Sequence, residues 1–272
     1  MRNLEFLAKF SEQNAAISRR DFLNQISLIG GGFLFNSKVN DKIDDVFVNK
    51  STDPVLIFPD DNSTPPKHLY NLAAQANSEY KRISNYLDRI YNRGKVIIRV
   101  SKLYKRIRAH FRDSSLPGTI ELPSFYVIRG VYPTAHELTH IIADTSPERA
   151  YLTEGLPMHV QYEYGESKDS SPNLEADLHT AFSKNGIING KLKIPMLELK
   201  LQTAFSEEDR NKKIILYFQA GSFVKYLIDE ESKGNIKKFM EFYYDGDFIK
   251  HFGKTFGQLE NDWLKFIMEK FK

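Results

Sequence analysis

Five consecutive residues, His136-Glu137-Leu138-Thr139-His140, carry the densest chemistry in this 272-residue chain. Histidines four apart on a helix project from one face, so two ring nitrogens can close on a single ion. The glutamate between them then stands beside the remaining coordination position, where a base is needed to activate water. A hydrolytic zinc site takes three protein ligands and keeps a fourth position open. Glu154, in Leu152-Thr153-Glu154-Gly155-Leu156, is the downstream acid best placed to be the third, because the chain can turn at Asp144-Thr145-Ser146-Pro147 and return on a second helix. Cysteine is absent, so disulfides and thiolate ligands are excluded and any metal rests on His, Asp or Glu. The set predicts one Zn2+ ion on His136, His140 and Glu154, with Glu137 as general base.

Each residue also has a plainer alternative. The histidines could be partly buried packing residues, Glu137 could close a capping box with Thr134, and Glu154 alone could be a surface acid. Taken together, the four positions favour a metal site. His159 could line the cleft or simply pack, and Asp144 could orient a ligand histidine or end its helix. His68, His110, His179 and His251 show no ligand spacing and receive no role.

The elements that would position these residues follow from periodicity. Pro54–Phe58 reads as a short strand, and Pro65-Pro66 opens a helix that keeps apolar spacing from Leu69 to Ile90 and stops at Gly94. Lys95–Val100 is the clearest strand, and Ser101 can cap a basic helix to Arg112. Thr119–Leu122 and Phe125–Ile128 read as two strands broken at Pro123, leading into the His136–His140 helix. Helices are predicted over 152–164, 173–183, 212–229, 234–243 and 256–271, with a polar loop at 165–172. This is an α+β architecture: a small mixed sheet lobe over 41–145 carrying the metal helix, then a mainly helical lobe over 146–272.

Residues 1–40 differ from the rest. Ser18-Arg19-Arg20-Asp21-Phe22-Leu23 resembles a twin-arginine export signal, followed by the apolar run Ile26–Phe35 with Gly30, Gly31 and Gly32 and by Lys38. The run is too short for an ordinary membrane-spanning helix, and no small-x-small cleavage site is evident. The motif predicts export, and a short cytoplasmic N-terminal helix is the alternative.

His-Glu-Leu-Thr-His followed by Leu-Thr-Glu-Gly-Leu resembles the gluzincin metallopeptidases, the superfamily of thermolysin and aminopeptidase N. Tyr217–Leu227 and Phe256–Trp263 are similar to the helices that follow the zinc site in small peptidase domains of this kind, so the likeness covers about residues 95–270 in pattern. The resemblance implies a glutamate ligand at Glu154, an oxyanion-stabilising phenol at Tyr217, and an extended peptide substrate along an edge strand within Thr119–Val127. By its apolar neighbours alone, Tyr217 could equally be a packing residue. The chain departs from the pattern in the short spacing from His140 to Glu154, in Met158 where thermolysin has an acid, and in Pro157. It has no Gly-x-Met-Glu-Asn stretch, which disfavours an aminopeptidase.

Composition adds bounds. Hydrophobic residues make up 41%, charged residues 27%, and the net charge is +3, so no global field points to nucleic acid. Arg93 to Arg112 does hold eight basic residues and no acid, a stretch read here as a solvated face rather than a nucleic-acid surface. The expected partner is a peptide or protein substrate. Two other functions are open on the sequence: a catalytically silent binding module of the same fold, and a hydrolase of a non-peptide amide or ester.

Overall fold

In a computed structural model, residues 52–110, 118–144, 150–166, 177–188, 191–192, 194–195 and 209–271 are described. The twin-arginine-like motif and the boundary near residue 40 lie outside them. Strand β1 (Val55–Pro59) alternates buried and half-buried residues. Helix α1 (Pro66–Leu87) starts on a proline pair and buries Leu69, Leu72, Ala76, Tyr80, Ile83 and Leu87 along one stripe. It ends at Asp88, which takes the left-handed conformation with φ 51°, not at Gly94. Gly94, with φ +106°, instead turns the chain into β2 (Val96–Ser101).

The four-stranded sheet has the order β1-β2-β4-β3. β1 and β4 (Thr119–Pro123) flank β2 in parallel, and β3 (Arg108–His110) closes the edge antiparallel to β4. The basic helix expected from Ser101 to Arg112 is therefore not formed over the described residues. Ser101 Oγ donates to Asp61 at 2.6 Å and accepts the Leu103 N–H at 3.0 Å, closing a tight turn instead of capping a helix. Asp61 also accepts the Lys102 N–H at 3.0 Å, and the chain then returns to pair with β4.

A second correction falls just after β4. Phe125–Ile128, expected as a strand, lies in the short helix α2 (Ser124–Arg129). Pro123 has no N–H for another rung of the ladder and supplies the extended residue before the helix, and Gly130 ends it at φ 69°.

The remaining helices are α3 (Thr134–Ala143), α4 (Ala150–Tyr164), α5 (Leu178–Gly186), α6 (Arg210–Tyr226), α7 (Ile236–Asp245), α8 (Phe248–Phe252) and α9 (Phe256–Lys270). α6 runs on into a π turn over Leu227–Glu231. The helix expected over 173–183 begins at Leu178, capped by the Asp177 carboxylate, and residues 173–176 lie outside the described set. The five-residue α8 and the two-residue strands β5 (Ile187–Ile188) and β6 (Lys191–Leu192) were not legible in the sequence. α9 carries the capping box Thr255/Gln258 and buries Leu259, Trp263 and Ile267.

The whole is an α+β fold. α1 and α3 pack on each other beside the sheet, α3 also meets β3, and α4 is clasped between α3 and α6. Among the described residues no helix is long and apolar enough to cross a membrane.

Candidate metal centre

Helix α3 presents His136 in its first turn and His140 in its last, both nearly buried. Its N-terminal N–H groups need outside acceptors, and Pro133 before it offers no side-chain cap. Gln161 of α4 meets part of that need by accepting the His136 backbone N–H at 3.0 Å. Gln161 lies seven residues, two helical turns, past Glu154, so one face of α4 both grips the start of α3 and delivers the acid.

The three side chains converge. His136 Nε2 and His140 Nε2 are 3.2 Å apart, and each lies 3.5 Å from Glu154 Oε2. A tetrahedral ion with bonds of about 2.0–2.1 Å spaces its ligand atoms about 3.3–3.4 Å apart. The observed triangle matches one face of that tetrahedron. All three donor atoms lie within 4.8 Å of one another, and the group can hold a metal ion.

Glycine sets the distance between α4 and α6. A Cβ on Gly155 would stand 2.6 Å from the Ala220 carbonyl oxygen and 2.6 Å from Val224 Cγ2, so this close approach admits no larger residue without a shift. The approach brings Tyr217 of α6 beside this group of side chains. Its ring centroid is 5.9 Å from that of His136, and its hydroxyl donates to the Glu154 carboxylate. Pro157 stands inside α4, which begins at Ala150 and not near Thr153.

Electrostatics separates the acids. Burial alone would raise Glu154, but attraction to His140 and hydrogen bonds from both histidines win and hold its carboxyl well below the usual range. Glu137 has no such hydrogen bonds. Loss of solvent, with repulsion from Glu154 added and attraction to His136 opposing, pushes it up to about 7. Burial, then the charges of Glu154 and Glu137, push the Tyr217 phenol well above its ordinary value, so it stays protonated.

The structure thus brings His136, Glu137, His140, Glu154 and Tyr217 into one place. It does not bring His159 there: that ring is buried and hydrogen-bonded to the Tyr86 hydroxyl at 2.8 Å. Asp144 ends α3 in the left-handed conformation and pairs with Arg93 at 2.8 Å, so it orients no ligand. The capping-box reading of Glu137 also fails, because Thr134 is inside the helix and its hydroxyl donates to Glu79. Substrate would not find its edge along Thr119–Val127 either: β4 is an interior strand, and the edge on its side of the sheet is β3, with β1 at the other.

Two supporting residues escaped sequence reasoning. Glu79 of α1, fully buried, accepts from the Thr134 hydroxyl, from Gln75 Nε2 at 2.9 Å and from the Glu166 N–H at 2.8 Å. It ties the start of α3 to the chain leaving α4. The signal available was an acid beside the apolar stripe Leu72, Ala76, Tyr80, Ile83; for Gln161 it was only the two-turn spacing from Glu154. No family model, no curated protein and no solved structure matches this chain.

Proposed function

We propose that the protein is a zinc-dependent peptidase of gluzincin type. The observation that carries the reading is the His136–His140–Glu154 triangle with edges of 3.2, 3.5 and 3.5 Å, with Glu137 close enough to feel the charges of His136 and Glu154. A purely structural zinc site has no use for that fourth residue, which is what argues against a silent binding module.

His136, His140 and Glu154 would hold the ion. When bound, zinc supplies a Lewis acid that polarises a carbonyl and makes water more acidic. Glu137 takes the proton of the attacking water and passes it to the leaving nitrogen, so one carboxyl serves as base and then as acid. Tyr217, kept protonated, exchanges its bond to Glu154 for one to the oxygen that gathers negative charge. Gln161 and Glu79 fix α3 against α4 and α1, which keeps the ligands in register.

The test is metal analysis of purified protein, paired with digestion of a broad peptide library by wild type and Glu137→Gln. Stoichiometric zinc, with cleavage lost only in the variant, is the expected result. Absence of bound zinc at neutral pH would refute the reading. The same proposal includes export, carried by Ser18–Leu23 and the apolar run after it. Replacing Arg19 and Arg20 by lysine should trap the protein in the cytoplasm, and unchanged secretion would overturn that part.

A further inference from the structure

One edge of the sheet, β3, carries basic residues on the face turned away from the core, where Ala109 and Ile120 pack. β3 pairs Arg108 with Glu121 across the ladder, and the turn before it holds Lys105 and Arg106. These residues, with Leu103 and Tyr104, line one surface hollow. Lys105, Arg106 and Arg108 are all exposed. The nearby acid Asp60 is engaged, since Arg99 pairs with it at 3.1 Å and the Tyr104 hydroxyl donates to it. Three cations therefore line this hollow, and among the described residues the one acid lining it is Glu121, opposite Arg108 on β4.

β3 packs against α3, the helix that carries both ligand histidines. A peptide strand added to the outer edge of β3 would run beside that helix, its main chain pairing with the strand and its side chains alternating between the two faces. Every second side chain then falls on the face of Arg108. Directly opposed residues on neighbouring strands stand about 4.5–5.5 Å apart at Cβ, within easy reach of a carboxylate and a guanidinium. Arginine suits this role because its planar fork accepts a carboxylate in two-point contact.

We propose that this edge selects extended acidic peptides, with Arg106 and Arg108 as the residues that set the preference for Asp or Glu. The proposal rests on the peptidase reading for its cleavage step and on charge complementarity for its specificity. The exposed cations otherwise resemble a surface for nucleic acid, and the two occupants respond differently to one experiment.

Three peptides of identical length, differing only in Glu, Gln or Lys at alternate positions, are offered to the zinc-loaded full-length protein. Cleavage is measured as kcat/KM, and binding is measured by fluorescence anisotropy on the Glu137→Gln form. Wild type should prefer the Glu peptide over the Lys peptide by about ten-fold in both readouts, and the preference should shrink with salt. The double variant Arg106→Glu/Arg108→Glu should invert the ranking, and Arg106→Gln/Arg108→Gln should flatten it. Arg106 and Arg108 are exposed, so circular dichroism and zinc content should stay native-like in the Gln pair, which carries the test if Arg108→Glu, opposite Glu121 across the ladder, loosens the edge. Equal values for the three peptides, or a ranking untouched by reversal, would overturn the proposal while cleavage itself upheld the peptidase. Selective binding without cleavage would uphold the acidic edge and remove the peptidase. No binding and no cleavage would remove both. A single-stranded oligonucleotide that displaces the Glu peptide at equal charge concentration would assign the edge to nucleic acid and overturn the proposal.

Discussion

His136 and His140 turn their Nε2 atoms toward each other across 3.2 Å, with a carboxylate 3.5 Å from both. His159 and His179 are buried more deeply, yet each turns to a neutral hydroxyl: Tyr86 at 2.8 Å for one, Ser222 at 2.8 Å for the other. Burial, reinforced by the charge of Lys225, drives His159 down to about 3 and His179 down to about 4. These two rings are held neutral inside an aromatic core, where His179 meets Phe266 and Phe271 and the same Ser222 accepts from the Trp263 indole at 3.1 Å. Burial is common to both pairs. Convergence of donor atoms on one point, with an acid to balance a cation, belongs only to the first.

The largest effect that can break this comparison is on zinc affinity. Glu154→Ala should weaken binding by at least about 100-fold in a chelator competition, since it removes one of the three proposed ligands. His159→Gln should leave affinity within about three-fold. Comparable losses from both substitutions would mean that the two pairs are not separate.

The second effect is on stability and comes from Glu79. Its carboxylate receives three hydrogen bonds and, buried, is raised above its ordinary value by desolvation, the opposite of Glu154. Glu79→Ala would take the acceptor from the buried Thr134 hydroxyl and from the Glu166 N–H, and leave the Gln75 amide only its 3.2 Å bond to Thr134. Chemical denaturation should report a loss of about 2–4 kcal/mol. A loss below about 0.5 kcal/mol would show that α3 is fixed by other contacts.

Acid sharpens the histidine comparison from the other side. For His159 and His179 the folded-state values lie below the unfolded value of 6.5, so the unfolded chain takes up protons first. Their contribution is complete above about pH 6.5 and is lost as the pH falls toward their folded values. At about pH 5 the cost is on the order of 2 kcal/mol per histidine. Metal-free wild type and a His159→Gln/His179→Gln variant, unfolded by urea at a series of pH values, should differ in slope over this window. Parallel slopes would place the acid sensitivity elsewhere.

What was legible in the chain follows the range of the physics. His136 and His140 were readable because their juxtaposition is set by one turn of one helix. Glu154 needed only a return path, and α4 supplies it. Gln161 and Glu79 act across helices 25 and 55 residues away from their partners, and no local period marks such contacts. The stretch after Ser101 departs from its expected helix for a related reason. Its lysines and arginines suit a helix by intrinsic preference, but an unpaired edge of β4 offered Arg108–His110 a ladder, and tertiary pairing outweighed propensity. Phe125–Ile128 has the aromatic and β-branched residues that suit a strand, but Pro123 and Gly130 bound a single short helix there.

The smallest predicted effect tests the edge of the metal centre. Asp144 sits one turn past His140, the position from which an acid can orient a ligand ring, yet its carboxylate is exposed and paired with Arg93 at 2.8 Å. An exposed pair of this kind contributes at most about 1 kcal/mol and is screened by salt. Asparagine tolerates the left-handed conformation that Asp144 holds at φ 51°, so Asp144→Asn isolates the charge from the backbone. Zinc affinity should change by less than two-fold and stability by about 0.5 kcal/mol or less. A ten-fold loss of zinc would mean that Asp144 does act on His140, and the boundary of the site would move outward by one helical turn.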